Sequence, residues 1–336
     1  LKYFETDRGI LYNQDCFDVM SNIPEKSVNT IIADPPYFEI KGDFDFIFKD
    51  FDDYLEFIEK QAKEYKRILA DNGSLFIYGH AKRIAYIQII FDKYFNLENS
   101  LIWEKKECQT KKGAFNFRSF APVTERILFY GNEWDISSGA LVANKATLKS
   151  RDYIRDEILR AKGKIKLKEI NIILGVATNG GGVASSVLST EKTENTFITE
   201  EHYETIKKWL NNGTEYEYLR TEYEDLRTEY EDLRRPFQGS DKTVDILKFS
   251  QESTITGKYK HPTQKPPKLT QHLLRTTTRE NNTVYIPFGG SGVECEACEI
   301  LNLKWISSEI EPKYCEIIKK RLETQSTNNF SGYSLF

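Results

Sequence analysis

At 336 residues the chain is long enough for one large α/β domain with a smaller insert. A hydrophobic fraction of 39% and an aromatic fraction of 13% suit a folded globular protein, and no apolar run approaches the roughly 18 residues of a membrane span. The formal net charge of −4 excludes a generally basic polyelectrolyte, so a nucleic-acid partner has to be argued from local charge.

The chain opens on Leu1-Lys2-Tyr3-Phe4-Glu5, which lacks both an initiator Met and the pattern of a signal peptide; cytoplasmic location is the expectation. Residues 9–15 and 28–33 read as strands. A helix is expected over 51–70, with Tyr54, Phe57, Ile58, Tyr65, Ile68 and Leu69 near helical spacing and Asp71-Asn72-Gly73 as its stop. Strands follow at 74–78, 97–103 and 126–130, with a helix over 81–94 between the first two. Strand and helix alternate, which predicts a layered α/β sheet.

The rhythm stops at about residue 138 and resumes at about 258. Between Ala140 and Gly175 there are nine Lys/Arg against four Asp/Glu, a local balance of +5. Helices are expected over 150–161 and 166–174. Gly175 then stands where a helix-turn-helix would turn, with 183–188 in the second helix; the competing reading is a small helical packing domain. From Thr214 to Arg234 the sequence repeats by seven, as Thr-Glu-Tyr-Glu-Tyr-Leu-Arg and then Thr-Glu-Tyr-Glu-Asp-Leu-Arg twice. Tyr216, Leu219, Tyr223, Leu226, Tyr230 and Leu233 fall at alternating steps of three and four, the spacing of a coiled-coil seam. Such a helix over 214–234 would be roughly 30 Å long. It is expected to lie on the protein body or to make a short partner contact.

The last block reads as a βαβ unit. Helices are expected over 267–277, 293–301 and 312–323, and strands over 283–288 and 304–310; 324–336 is a polar tail. Cys295 and Cys298 form a C-x-x-C, but no second pair or nearby His completes a zinc site, so they are read as small buried helix residues. No metal is expected.

Two constellations carry chemistry. Asp34-Pro35-Pro36-Tyr37 ends the apolar strand 28–33 and sets a carboxylate, a rigid diproline and an aromatic ring at one sheet edge. Taken alone it is as readily a strand ending in a proline turn. One chemistry that needs the set is methyl transfer to an exocyclic amino group of a nucleobase. A carboxylate and a backbone carbonyl accept its two N–H bonds, and the ring stacks on a flipped base. The second is Phe288-Gly289-Gly290-Ser291-Gly292, between a strand and a helix, where glycines let backbone approach a ligand. Glu309 stands seventeen residues beyond it at a strand end, near the spacing of roughly 20 at which nucleotide folds place an acid on ribose.

Together with Asn13-Gln14-Asp15-Cys16, Leu101 to Lys105, Thr124 to Leu128 and His261-Pro262-Thr263-Gln264-Lys265-Pro266, these segments give a chain that resembles the β-class of DNA amino-methyltransferases. These are S-adenosylmethionine-dependent enzymes of restriction–modification or solitary bacterial and phage systems. The order carries the likeness: tetrapeptide, insert, glycine loop. The resemblance covers about two-thirds of the chain. It implies a Rossmann-like, mostly parallel mixed sheet flanked by helices, with an inserted, mainly helical target-recognition region. The expected division is 1–137 as the catalytic half, 138–257 as the insert, 258–323 as the cofactor half and 324–336 as the tail.

By that resemblance Asp34, Pro35, Pro36 and Tyr37 orient and stack on the target base. Asp15 and Cys16 lie by the cofactor adenine. Phe288, Gly289, Gly290, Ser291 and Gly292 line the methionine and ribose, with Asp34 alongside and Glu309 on the ribose hydroxyls. Thr263 and Lys265 meet the amino-acid end. The family has Asp before the Pro-Phe of its loop where this chain has Ile286; Glu294 or Asp15 is the expected substitute. Lys105, Lys111, Lys112 and Arg118, interleaved with Phe115 and Phe117, and Lys145, Lys149, Arg151, Arg155, Lys162 and Lys164 of the insert are expected on phosphate. Residues 38–51 are read as a flap over the base. The implied partner is double-stranded DNA, with a cognate restriction endonuclease and a second copy of the chain as further candidates. Asp at the head of the tetrapeptide leans toward adenine N6. The alternatives are cytosine N4, a DNA-binding subunit without catalysis, and RNA.

Overall fold

The computed structural model describes residues 2–40, 45, 47–105, 123–132, 145–178, 182–188, 197–240, 243–250, 259 and 261–328. The chain forms two compact units, one joining Leu1–Asn132 to Pro236–Phe336 and the other Glu133–Arg235. No helix among the described residues is long and apolar enough to cross a membrane.

The first unit is built on one sheet of β1 (Lys2–Glu5), β2 (Gly9–Tyr12), β3 (Val28–Ala33), β4 (Leu69–Gly79), β5 (Asn96–Lys105), β6 (Thr124–Gly131), β7 (Ile246–Phe249), β8 (Thr283–Ile286) and β9 (Lys304–Ser308). Their order is β1-β2-β9-β8-β3-β4-β6-β5-β7. The run β2, β9, β8, β3, β4 is parallel throughout. Strand β6 is antiparallel to both neighbours, β1 is antiparallel to β2, and β7 is parallel to β5. In chain order the helices are α1 (Cys16–Met20), α2 (Phe51–Ile68), α3 (Ile84–Phe91), α4 (Lys145–Lys162), α5 (Leu167–Ile173), α6 (Gly182–Leu188), α7 (Glu200–Asn211), α8 (Tyr223–Leu233), α9 (Pro267–Thr277), α10 (Val293–Ile300) and α11 (Pro312–Asn328).

Strand alternation divides the core in two. Ile31, Ala33, Leu75, Ile77, Leu128 and Tyr130 share one cluster with α1, α2 and α3. Their neighbours Ile32, Phe76, Tyr78, Ile127 and Phe129 share the other with Leu269, Leu273, Cys295, Cys298 and Ile318 of α9, α10 and α11. Period-two alternation with both faces covered is why these strands read as unbroken apolar runs. The fold is therefore the expected α/β sheet, mostly parallel, with helices on both faces.

The sheet geometry fixes where chemistry can occur. Strands β3 and β8 are adjacent, with Thr30 opposite Val284 and Ile31 opposite Tyr285. From β3 the chain goes through α2 to β4 on one side; from β8 it goes through α10 to β9 on the other. Crevices at such reversals, beyond the carboxyl ends of parallel strands, are where open α/β sheets bind ligands.

Several boundaries differ from the sequence reading. Helix α2 is capped by Asp50, whose side chain accepts from Asp53 N at 2.9 Å, and it ends at Ile68. Asp71-Asn72-Gly73 then lies inside β4, where the register jumps from Val28–Leu69 to Thr30–Ser74, so this turn chemistry makes a bulge. The insert ends earlier than residue 257, because β7 pairs along β5 from Ile102–Ile246 to Lys105–Phe249 and extends the sheet. Only four residues long, β7 gave no periodic signal. Helix α11 runs on through 324–328, part of the expected tail.

The second unit has its own core, in which Ile154, Ile158, Ile170, Ala184, Leu188, Tyr203, Ile206 and Leu219 are buried together. Helices α5 and α6 are both present, but residues 174–181 separate them, longer than the 3–4-residue turn of a helix-turn-helix. The heptads are not one helix. Only Tyr223–Leu233 is helical, and Leu219 has φ +50°. The first heptad is held by side chains of other helices. Asn211 Oδ1 accepts from Tyr218 N at 2.7 Å and Nδ2 donates to Tyr218 O at 3.0 Å. Glu157 accepts from Leu219 N at 2.9 Å, and the Tyr153 hydroxyl accepts from Thr221 N at 3.0 Å. Those bonds replace the helical ladder, so three near-identical heptads adopt two conformations.

Candidate active site

Asp34 follows the last residue of β3, and the diproline holds it at the sheet edge. The Tyr37 hydroxyl donates to its Oδ1. Lys265 Nζ lies 3.0 Å from Asp34 Oδ2. The same ammonium meets Glu125 Oε2 at 3.1 Å and the Tyr37 hydroxyl at 3.1 Å, so its three donors are all engaged. Glu125 also pairs with Lys105 Nζ at 2.5 Å. The result is a chain of alternating charge, Asp34, Lys265, Glu125, Lys105, lying across the carboxyl edge of the sheet.

Burial sets the electrostatics. It pushes the Asp34 carboxyl up from the usual range, against the pull of Lys265 and Tyr37. Burial opposes ionisation of Glu125 as well, yet Lys265 and Lys105 hold it down at about 2. For Lys265 burial lowers the ammonium, but Asp34 and Glu125 outweigh it and leave it raised.

The tetrapeptide is also fixed from behind. Asp45 Oδ1 accepts from Tyr37 N at 2.6 Å, and Asp45 O from Glu39 N at 2.8 Å. Phe38 sits among Phe48, Phe51 and Tyr54 and is only 7% exposed, which makes it core. Of the expected flap, residues 41–44 and 46 lie outside the described residues. Tyr37 is itself 8% exposed, with its ring 6.5 Å from His80.

The glycine loop follows β8. Gly290 and Gly292 have φ of +50° and +77°, left-handed values that glycine alone adopts freely. At Gly289 a Cβ would come within 2.8 Å of Ile318 and 2.9 Å of Ser307 Oγ. Glu309, just past β9, accepts from Gly290 N at 2.8 Å and from Glu311 N at 2.8 Å. Burial raises its carboxyl. Each oxygen keeps acceptor capacity for a further donor. His261 stands edge-on to Tyr314 at 4.4 Å and accepts from Thr263 N at 3.3 Å. Phe288 packs 6.4 Å from Phe57. Asp15 caps α1 through Phe17 N at 2.8 Å, and Cys16 beside it is buried.

Sequence reasoning missed Arg321. It is 2% exposed and donates from Nε to Ser291 O at 2.8 Å, from one NH group to Glu296 at 2.7 Å and from the other to Gln264 at 3.0 Å. It ties the glycine loop to the segment carrying Thr263 and Lys265. Its position in α11, near the end of the chain, offered no motif. Glu125 was quoted for its strand but given no role; its contact with Lys265, 140 residues away, exists only in the folded chain.

The expected phosphate contacts divide. Arg151 is 2% exposed and inside the second unit, so it is corrected to a packing residue. Arg155 donates to Leu188 O, Lys149 pairs with Glu229, and Lys162 lies over the Trp209 ring at 4.8 Å. Lys105 is spent on Glu125. Each of these has an internal partner that charge counting could not see. Lys164 is exposed. Lys111, Lys112 and Arg118 lie outside the described residues, as does the side chain of Lys145.

A family model described as DNA methylase, of the N6/N4 methyltransferase type, matches residues 28–320. The chain is 23% identical over 343 residues to the type II methyltransferase M2.DpnII of Streptococcus pneumoniae, covering 97% of this chain and 94% of that protein. It is 26% identical over 326 residues to M.BamHI of Bacillus amyloliquefaciens, covering 96% of this chain but 59% of that longer protein. Among solved structures, the cytosine-N4-specific PvuII DNA methyltransferase superposes with a TM-score of 0.55 at 14% identity, covering 94% of this chain and 86% of that one. At that identity the likeness concerns the fold.

Proposed function

We propose, from the premise that this chain belongs to the N6/N4 DNA methylase family, that it methylates the N6 amino group of adenine at specific sites in DNA. The observation that carries the reading is Asp34, a carboxylate fixed at the end of β3 beside the glycine loop that follows the adjacent strand β8. The methyl donor is S-adenosylmethionine, which when bound supplies a methyl group already activated on sulfur.

The residues present suit that donor. Two left-handed glycines and a third with no room for a side chain make a backbone cradle, and Glu309 beyond β9 has acceptor capacity left for ribose hydroxyls. Phe288, Gly289, Gly290, Ser291 and Gly292 hold the ribose and methionine, Asp15 and Cys16 the adenine end, and Thr263 the amino-acid end, the sequence expectation for Lys265 giving way to its commitment to Asp34, Glu125 and Tyr37.

The protein's task is then orientation. The Asp34 carboxylate and the Pro35 carbonyl accept the two hydrogens of the target amino group, which frees its lone pair from the ring. Entry of the base exchanges the Tyr37 hydroxyl off Asp34 Oδ1, and the released ring is the surface on which the base stacks. Lys265 stays between Asp34 and Glu125 and keeps two carboxylates compatible in one site. Positioning of this kind lowers the barrier without covalent help from the protein. The second unit, Glu133–Arg235, is assigned target recognition. A restriction endonuclease of the same specificity is the proposed biological partner, in keeping with the type II name of M2.DpnII.

The test is transfer of labelled methyl from S-adenosylmethionine to unmethylated bacterial DNA, followed by nucleoside mass analysis. N6-methyladenine is expected. Labelled N4-methylcytosine would overturn the base assignment and keep the chemistry. DNA binding with no transfer would overturn the enzymatic reading.

A further inference from the structure

Among the carboxylates around the crevice, Glu294 stands apart. It is the second residue of α10, directly after the loop, and only 7% exposed. Asp34, Glu125 and Glu309 each accept hydrogen bonds from other residues, and Asp15 is used by the cap of α1. Among the described residues no cation stands at ion-pair distance from Glu294 and no other side chain donates to it; its own backbone N–H is the donor against it. Asp34, Lys265 and Arg321 are within electrostatic reach, as are the Tyr78 hydroxyl of β4 and the Cys295 and Cys298 thiols.

Both neighbouring cations are committed. Lys265 gives its three hydrogens to Asp34, Glu125 and Tyr37, and Arg321 is fixed on Ser291, Glu296 and Gln264. Ile286, at the end of β8, is 1% exposed in the apolar core and contributes no charge. A buried carboxylate with no external donor is costly unless a ligand completes it. Of the two cationic centres on S-adenosylmethionine, the sulfonium has no hydrogen to donate. The α-ammonium has three.

We propose that Glu294 is the residue that binds the α-ammonium of the methyl donor, in place of any acid at the end of β8. This rests on the assignment of the crevice to S-adenosylmethionine. A corollary concerns protons. Burial pushes the free Glu294 carboxyl up to about 7, so it is about half protonated at neutrality and mostly protonated at pH 6 until the ammonium arrives. Binding at pH 6 therefore releases a proton, and affinity falls from pH 8 to pH 6.

The test is calorimetric binding of S-adenosylhomocysteine, which shares the ammonium, and of its analogue with hydrogen in place of the amine. Wild-type protein is compared with Glu294→Gln. Wild type should lose at least roughly tenfold in affinity on losing the amine. The variant should bind S-adenosylhomocysteine at least roughly tenfold more weakly than wild type does and bind the deaminated analogue as wild type does. In buffers of different ionisation heat at pH 6, wild type should release a proton and the variant should not. His261 remains in both proteins, so the difference reports Glu294. Equal loss of both ligands in the variant, or no loss of either, would overturn the proposal. The proton count on wild type stands even if the variant folds poorly; no release at pH 6 would overturn it as well. Failure of wild type to bind either ligand is a different result and removes the cofactor assignment itself.

Discussion

Lys265 is buried at 4% side-chain exposure between Asp34 and Glu125, and replacing it with methionine leaves two carboxylates in one site without a cation. Lys265→Met should cost roughly 3–5 kcal/mol at pH 8, measured by urea unfolding. In the wild type the Glu125 contribution is fully present above its ordinary value of 4.5 and is lost only as pH falls through about 2. Glu294 has the opposite sign. Its folded value is raised from 4.5 to about 7, so folded-state stability is greatest below 4.5 and declines as pH rises to 7. Glu294→Gln should therefore be more stable than wild type at pH 8, by up to about 3 kcal/mol, and equal to it below pH 4.5. Asp34→Ala should abolish methyl transfer while cofactor binding persists; an active variant would remove Asp34 from the mechanism. Asp34, the glycines and Glu309 could be proposed as site residues from the sequence because each sits in a short segment with a recognisable spacing. The partnership of Lys265 with Glu125 could not, because 140 residues separate them and only the folded chain brings them together.

At the scale of elements, local pattern served well where one segment determines its own conformation. The strand 28–33 and the helix 267–277 were found to the residue, since apolar spacing and proline punctuation act within a few positions. The heptads show the limit. Thr214–Arg220 and Thr221–Arg227 are nearly identical in sequence, yet backbone groups at Tyr218, Leu219 and Thr221 bond to Asn211, Glu157 and Tyr153 rather than to their own helix. Asn211→Ala should cost about 1–3 kcal/mol in urea unfolding, because both polar groups of Tyr218 lose a partner. At Gly292, φ +77° and an Ile318 neighbour 3.1 Å from a built Cβ leave little room. Gly292→Ala should lose about 1–2 kcal/mol from backbone conformation alone, read from thermal unfolding.

Over the whole molecule, a net charge of −4 requires DNA affinity to come from local basic surface. Most cations assigned to α4 have internal partners, but Lys164 and Lys168 are exposed. Replacing both with alanine should reduce the salt dependence of DNA affinity by roughly two phosphate contacts, a change of about 1.8 in the log–log slope. An unchanged slope would place DNA contact elsewhere. The α/β class, the helical insert and the two candidate ligand segments could be read from the sequence alone, because hydrophobic period, turn residues and motif spacing are local properties. Only the folded chain shows that β7 returns to the sheet, that the first heptad is not helical, that Arg151 and Lys105 are held internally, and that Glu294 is a buried carboxylate with no ion-pair partner among the described residues. Those outcomes depend on which distant groups meet and which donors are already taken, and that is settled only when strands and helices pack.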